Sequence, residues 1–146
     1  MHAPPERVLD VLADGWSYTG WVVGTAHIRA VDEHWPQPGS RIAHSVGGWP
    51  AQLEDSTVSR QWDPASGRIR LRARGWPLGE AEVDVIVAPH PDGSMVTMRE
   101  EAVRGPGRFV PRPVRRLVLG ARNRESLERL AARAERRSTD PGRARG

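Results

Sequence analysis

The sequence of 146 residues contains no cysteine, which excludes disulfide frameworks, thiol nucleophiles and thiolate metal sites. It has no apolar run close to the ~20 residues that a membrane span requires, nor the apolar segment of a secretory signal peptide. Glycine-rich phosphate loops, nucleophile elbows and ligand clusters at metal-binding spacing are missing as well. We therefore expect no metal, no cofactor and no membrane span, and the lack of cysteine favours a cytoplasmic location.

Lysine is absent too, so that all 22 basic residues are arginine. Residues 1–103 carry 9 arginines and 14 acidic residues, a net charge of −5, whereas residues 104–146 carry 13 arginines and 4 acidic residues, a net charge of +9. The second segment is either an arm that binds nucleic acid or anionic lipid, or a helix with an arginine-rich solvent face. We favour the helix and expect no nucleic-acid partner, because no aromatic residue follows Phe109 to stack on bases.

Length and composition are those of one globular domain. Hydrophobic residues make up 38% of the chain and charged residues 27%, which is ordinary for a soluble protein. A chain of this length buries roughly 70% of its unfolded surface. We predict a single domain over residues 1–137 and a disordered polar tail over residues 138–146.

Helical patterns occur at both ends of this domain. The first covers residues 4–14, where two prolines suit the opening turn and Val8, Val11 and Leu12 form an apolar stripe. The second covers residues 112–137, with a stripe made of Leu119, Asn123, Leu127, Leu130 and Ala134.

Three apolar residues of the second helix, Val114, Leu117 and Val118, lie off its stripe by roughly 100° or more. Either the helix bends near Gly120, or its first turns cover a different surface from the rest. The sequence does not decide between these two arrangements.

Between the helices the pattern has a period of two and is interrupted by turns rich in proline, glycine and aspartate. Connections this short allow only antiparallel neighbours, so the pattern predicts a six-stranded antiparallel meander. The predicted strands cover residues 22–33, 39–47, 51–62, 67–75, 79–88 and 94–103.

The fourth and fifth predicted strands carry complementary charges on one face and apolar residues on the other. A three-residue loop between them places Arg74 opposite Glu80, Arg72 opposite Glu82 and Arg70 opposite Asp84. A slip of one residue would set the apolar residues of one strand beside the charges of the other. We therefore interpret these charges as structural, not catalytic.

Five tryptophans recur at intervals of 13 or 14 residues, but the residues around them do not repeat. The interval matches one strand plus one turn, and three of the five precede proline, which favours extended backbone. We expect these tryptophans to lie around the ends of the sheet, mainly as packing: Trp21, Trp35, Trp49, Trp62 and Trp76.

Short segments follow one another in a distinctive order and spacing: Ala3-Pro4-Pro5-Glu6-Arg7-Val8, Val11-Leu12-Ala13-Asp14, Trp21-Val22-Val23-Gly24, Ile28-Arg29-Ala30-Val31-Asp32, Trp35-Pro36, Pro38-Gly39-Ser40, Gly93-Ser94-Met95-Val96 with Glu100, and Arg122-Asn123 before Leu127 and Leu130. In this order the sequence resembles the START-like (SRPBCC) superfamily, and its polyketide cyclase/dehydrase branch in particular. The resemblance covers residues 3 to about 137. It implies the α+β helix-grip fold, in which a curved antiparallel sheet wraps around a long C-terminal helix and short helices precede the sheet.

One feature of that superfamily is missing here. Its members have a strand before the segment that begins at Ala3, and this strand pairs with the last strand of the meander. Only Met1 and His2 precede the segment in this sequence. Either the true start lies upstream, which we favour, or the sheet has an exposed edge along residues 94–103 that allows self-association.

The resemblance also implies a cavity between sheet and C-terminal helix that holds a small hydrophobic molecule, which is polyketide-, aromatic- or lipid-like. Small residues such as Ala73 and Ala81 agree with open space there, whereas in the alternative the tryptophan side chains fill it. We predict that the ligand contacts Trp21, Ile42, His44, Ile69, Leu71, Val83, Val85, Met98, Glu100, Leu119 and Asn123.

Three of these predicted contacts are polar residues at inward positions. In apolar surroundings Glu100 would retain a proton and exchange it with a ligand, unless it forms a salt bridge with a neighbouring arginine. A lone inward histidine such as His44 is more often a hydrogen-bonded core residue than a base. Asn123 is suited either to a ligand or to a carbonyl group of the sheet.

These observations favour a protein that binds a hydrophobic ligand, with two alternatives. The first is a polyketide cyclase or dehydratase in which Glu100 or His44 moves a proton while the cavity holds a poly-ketone chain in a reactive conformation. The second is an interaction module that binds polyanions through its arginine-rich C-terminal segment.

Overall fold

The structure, a computed structural model, describes residues 1–23, 25–46, 53–75 and 79–138. Helix α1 spans Pro5–Ala13 and is followed by a 3-10 helix over Gly15–Gly20. A second 3-10 helix over Pro106–Phe109 precedes the long helix α2, Arg112–Ser138. Between the helices lie β1 (Thr25–Val31), β2 (Arg41–Val46), β3 (Leu53–Asp63), β4 (Arg68–Gly75), β5 (Gly79–His90) and β6 (Gly93–Arg104).

The six strands form one antiparallel sheet in chain order, with β1 at one edge and β6 at the other. The predicted helix-grip architecture and its meander are therefore confirmed. Register shifts of the β-bulge type interrupt the β1–β2 and β3–β4 ladders. Bulges bend a strand and increase its twist, which helps the sheet to curve around the core.

The predicted register of β4 and β5 is confirmed, but the closest charge contact between them is diagonal. Arg68 Nε and Nη2 donate to the two carboxylate oxygens of Asp84 at 2.9 and 2.6 Å. Arg70, which lies directly opposite Asp84, is 3.9 Å from it. Long side chains reach diagonal neighbours across a twisted pair of strands, so that Arg68 becomes the main partner of Asp84.

The predicted start of the first strand at residue 22 is wrong. The Val22 amide donates to the Tyr18 carbonyl at 2.8 Å, and the Thr25 amide donates to the Val22 carbonyl at 3.3 Å. The chain is therefore still turning after the first 3-10 helix, and β1 begins only at Thr25. At the other end of the meander, both strands are longer than predicted: β5 continues to His90, and β6 spans Gly93–Arg104.

The core lies between the inner face of the sheet and the two helices. Val8, Val11 and Leu12 of α1 are buried, as their stripe predicts, and so are Leu130 and Ala134 of α2. The sheet contributes the buried side chains of Ile28, Ile42, Ile69, Leu71, Val85 and Val87.

Aromatic side chains close the C-terminal end of α1. The Leu12 carbonyl accepts hydrogen bonds from the Tyr18 hydroxyl at 2.9 Å and from Trp35 Nε1 at 3.3 Å. Because a helix leaves its last carbonyls without partners, these two donors satisfy a buried acceptor. Trp35 is thus a packing residue, as predicted, while Trp49 and Trp76 lie outside the described residues, together with the turns around them and residues 139–146.

The apolar residues in the first turns of α2 face away from the core. Leu117 is 76% exposed and Val118 62% exposed, whereas Leu130 is fully buried. Helix α2 is continuous from Arg112 to Ser138. The apolar side chains of the first turns are therefore largely exposed, whereas those of the later turns lie in the core.

The N-terminal segment covers the start of the edge strand β6. The Met1 nitrogen donates to the Ser94 carbonyl at 2.9 Å, and the Ser94 amide donates to the Met1 carbonyl at 3.0 Å. The Ser94 hydroxyl also donates to the Ala3 carbonyl at 2.5 Å. These contacts are confined to the first residues of β6, so that self-association through the remainder of this edge stays a prediction.

Candidate functional site

A small cavity lies between the inner face of the sheet, the first 3-10 helix and α2. Its volume is about 60 Å³. Alternation along β2, β4, β5 and β6 directs one set of side chains into it. Nine of the eleven predicted contact residues line this cavity: Trp21, Ile42, His44, Leu71, Val83, Val85, Met98, Glu100 and Asn123.

The other two predicted contacts lie elsewhere. Ile69 is fully buried in the core and is not part of the cavity wall. Leu119 lies outside the cavity wall. It lines two neighbouring spaces that are open to solvent between α2 and the sheet.

Sequence reasoning missed several residues of the wall, of which Thr57 and Arg122 matter most for its chemistry. Neither face of β3 is cleanly apolar, so the strand could not be oriented from its pattern. The register of β2 and β3 orients the strand: Thr57 pairs with the inward residue Ile42, so that its side chain points inward as well. Arg122 is among the residues that carry the resemblance, but no pattern marked it as the partner of Glu100 among the many arginines of its segment.

His44 is held in the cavity wall by one hydrogen bond. Its Nε2 atom lies 3.0 Å from Thr57 Oγ1, and the other ring nitrogen, Nδ1, is buried without a hydrogen-bond partner among the described residues. Burial lowers the pKa of His44, an effect that Asp55 opposes and Arg29 reinforces. The imidazole is therefore neutral at physiological pH.

Trp21 is the second wall residue with an unused polar atom. Its side chain is almost fully buried and packs against Tyr18, with ring centroids 4.7 Å apart. The Tyr18 hydroxyl is engaged by the Leu12 carbonyl, and burial raises the pKa of Tyr18. Trp21 Nε1 is buried and has no hydrogen-bond partner in the described part of the chain.

Glu100 and Arg122 form an ion pair in the cavity wall. Arg122 Nη1 lies 3.3 Å from Glu100 Oε1, and Arg122 Nε donates to the Val23 carbonyl at 3.2 Å. The Glu100 side chain is only 7% exposed, whereas that of Arg122 is 41% exposed. Of the two alternatives that the sequence left open for Glu100, the structure shows the salt bridge.

An apolar groove of about 240 Å³ adjoins the cavity and opens to solvent. It runs between the first turns of α2 and strands β4 to β6. Ala73, Glu100 and Arg122 line both spaces, so the ion pair stands at their junction. The outer part of the groove is formed by small or apolar side chains that include Ala81, Ala102, Val110, Val114 and Val118.

The described part of the chain contains neither a membrane-spanning helix nor a metal-binding cluster. None of its helices is both long and apolar enough to cross a membrane. Within residues 1–23, 25–46, 53–75 and 79–138, no group of three or more histidine, aspartate or glutamate side chains is arranged to hold a metal ion.

Comparison with known proteins agrees with this architecture. A family model described as polyketide cyclase / dehydrase and lipid transport matches residues 1–135. Among curated proteins, none matches the sequence.

Several solved structures have the same fold. The di-domain ARO/CYC StfQ from the steffimycin biosynthetic pathway is 15% identical, with 94% of this chain and 49% of that chain covered and a TM-score of 0.71. Ara h 8.0201 is 12% identical, with 90% of each chain covered and a TM-score of 0.68. Protein CV1439 from Chromobacterium violaceum is 22% identical, with 90% of each chain covered and a TM-score of 0.62. At these identities the likeness shows the fold alone.

Proposed function

Because the chain belongs to the polyketide cyclase / dehydrase and lipid transport family, we propose that it binds a small hydrophobic molecule between the sheet and α2. The ligand is polyketide-, aromatic- or lipid-like. Its body lies in the apolar groove, and one end reaches the inner cavity past Glu100 and Arg122.

The observation that carries this proposal is the junction of the two spaces at Ala73, Glu100 and Arg122. The inner cavity of about 60 Å³ is too small for an organic ligand by itself, since such pockets measure ~300 to 1,000 Å³. The groove adds about 240 Å³ of mostly apolar space, and it is open to solvent. The two together approach the lower end of the usual range.

The ion pair at the junction is suited to give way when a ligand enters. Glu100 is nearly buried, but Arg122 is substantially exposed and projects from α2. Long arginine side chains keep their charged end hydrated while their stem covers apolar surface. A rotation of Arg122 therefore opens the junction and leaves the strands of the sheet in place.

A binding experiment tests the proposal. Protein purified without denaturation is examined by native mass spectrometry for a bound mass, and the stripped protein is then titrated with an apolar fluorescent dye. Ala73→Phe fills the junction and is expected to weaken dye binding about tenfold or more, since overpacking closes the space. Ala132→Phe, the same change at an exposed position of α2, is the control. Unchanged affinity of Ala73→Phe for the dye would refute the proposal, and so would the absence of both a bound mass and dye uptake.

A second candidate function is that of a cyclase or dehydratase, and the state of His44 favours it. His44 lines the cavity, its imidazole is neutral, and its Nδ1 atom has no hydrogen-bond partner among the described residues, so that it is available to act as a general base. The assay is product formation from a linear poly-β-ketone thioester. His44→Gln is expected to abolish turnover and to preserve binding of the thioester, and equal turnover by the variant would exclude this role.

A further inference from the structure

We infer that the inner cavity binds one uncharged polar group of the ligand, a hydroxyl or a carbonyl, at Trp21 and His44. This inference rests on the proposed function and names the chemical class of its ligand. The ligand is then an amphipathic molecule whose single polar end lies deepest and whose apolar body occupies the groove.

The two orphan nitrogens are the basis of this inference. Trp21 and His44 are both more than nine-tenths buried, and both line the same small cavity. Each has a side-chain nitrogen without a hydrogen-bond partner among the described residues. Buried polar atoms of native proteins are nearly always paired, so an unpaired one indicates a group that the protein itself does not provide.

The chemistry of the two nitrogens defines the missing partner. Trp21 Nε1 only donates and therefore needs an acceptor. His44 Nδ1 donates if the Thr57 hydroxyl donates to Nε2, and accepts if Nε2 donates to Thr57 instead. A hydroxyl group suits both states of His44, and a carbonyl oxygen suits the first.

The charges around the cavity exclude an ionised group. Burial keeps His44 neutral by lowering its pKa. Among the described residues that line the cavity, the charged groups are Glu100 and Arg122, and they form an ion pair with each other. A carboxylate at the inner end would lie close to Glu100, and the described lining residues offer it no cation other than Arg122, which Glu100 already engages. An ionised group without a partner is costly to bury.

The size of the cavity limits how much of the ligand enters it. The cavity of about 60 Å³ is far smaller than a site for a whole ligand, which measures ~300 to 1,000 Å³, so only one end of the molecule enters it. The remainder of the molecule must pass Ala73 and the ion pair into the groove. The polar group therefore lies at one end of the ligand.

Three matched probes test this inference by isothermal titration calorimetry at neutral pH: naphthalene, 2-naphthol and 2-naphthoate. We expect 2-naphthol to bind about tenfold more tightly than either of the others, a difference typical of one additional buried hydrogen bond. Equal affinity for naphthalene and 2-naphthol would overturn the inference and leave the proposed function intact. Tighter binding of 2-naphthoate would overturn it as well, whereas no binding of any probe would refute the proposed function.

Variants locate the polar group. Trp21→Phe removes the indole N–H and retains an aromatic ring, so the preference for 2-naphthol over naphthalene is expected to fall to about threefold or less. Trp62→Phe, which is partly buried outside the cavity wall, is the matched control. His44→Leu provides the second variant, in case the first does not fold. A preference that survives both cavity variants, each verified by its thermal unfolding, would overturn the assignment.

Discussion

Arg122 Nη1 lies 3.3 Å from Glu100 Oε1, and this ion pair connects the edge strand β6 to α2 where the cavity meets the groove. The same guanidinium donates to the carbonyl of Val23, at the end of the turn that follows the first 3-10 helix. One side chain therefore holds three elements together.

The two partners of this ion pair are expected to contribute unequally to stability. Arg122→Met leaves the nearly buried Glu100 carboxylate without its cation, and should cost about 1 to 3 kcal/mol. Glu100→Gln leaves a substantially exposed arginine, which water solvates, and should cost less than about 1 kcal/mol.

Urea unfolding of both single variants and of the double variant measures this difference. The double variant should be more stable than Arg122→Met alone, because the buried charge has been removed. Equal losses in the two single variants would show that the pair is an ordinary surface salt bridge.

Asp84 is expected to stabilise the protein only above acidic pH. The Arg68 hydrogen bond holds the pKa of Asp84 below its usual range. A carboxyl group with a lowered folded-state pKa contributes fully above its unfolded pKa of about 3.9, and the contribution disappears as the pH falls through the folded-state value. Asp84→Asn should therefore be less stable than the parent at neutral pH, and the difference should shrink as the pH is lowered to about pH 2.

Urea unfolding at both pH values tests this expectation, with the exposed Asp92→Asn as the control. A difference in stability between Asp84→Asn and the parent that persists in acid would mean that packing, rather than the charge contact with Arg68, is what the substitution removes.

His44 is expected to make the protein sensitive to mild acid. Burial lowers the pKa of His44 in the folded state, whereas the unfolded chain takes up this proton near pH 6.5. The unfolded state therefore binds more protons as the pH falls below about 6.5, and stability decreases until the folded-state pKa has been passed.

The measurement is the free energy of unfolding of the parent and of His44→Leu, at about pH 7.5 and about pH 5.5. The parent should lose more stability between these values than His44→Leu does. His27→Asn, a change at an exposed histidine of β1, is expected to behave like the parent. An identical pH dependence of His44→Leu and the parent would contradict the buried, neutral state.

The two halves of α2 are expected to differ in their contribution to stability. Leu130 is fully buried, so Leu130→Ala should cost about 2 to 5 kcal/mol, as for other core leucines. Leu117 is largely exposed, and Leu117→Ala should change stability by less than about 0.5 kcal/mol. Thermal and urea unfolding of the two variants decide this, and a large loss in Leu117→Ala would mean that its side chain packs against the core.

Much of the fold was predictable because local rules and tertiary packing agree along most of the chain. Alternating residues in β4 and β5 define both the inner face and the register, and the stripe of α1 identifies its buried side. The start of β1 was not predictable. Val22 is a residue type that favours strands, but its amide donates to the Tyr18 carbonyl, which holds it in a turn. This contact depends on how the first 3-10 helix packs, and the sequence pattern of this segment does not predict that packing.

The site was predictable only in outline. Alternation placed His44 and Glu100 on inward positions, and both line the cavity. The partners that determine their chemistry, Thr57 and Arg122, come from other elements, and only the packed structure brings them within 3.0 and 3.3 Å. Leu119, predicted as a ligand contact from its helical stripe, lines the adjoining groove rather than the inner cavity.

The edge strand β6 provides the last prediction, through Gly93. At this residue φ is +132°, and an added Cβ would lie 2.5 Å from the Met1 carbonyl oxygen and 2.7 Å from the Ala3 nitrogen. Gly93→Ala should therefore displace the N-terminal segment from Ser94 and expose the start of an unpaired edge, which favours pairing with a second copy. Gly39→Ala, also at positive φ but with no atom within 4 Å of the added Cβ, is the matched control.

Analytical ultracentrifugation of both glycine variants tests this prediction. Both should lose stability, since alanine at positive φ is strained, but only Gly93→Ala should self-associate as its concentration rises. Self-association by Gly39→Ala as well would indicate that partial unfolding is the cause. A monomeric Gly93→Ala would show that the contacts of Met1 and Ala3 with Ser94 do not protect the edge.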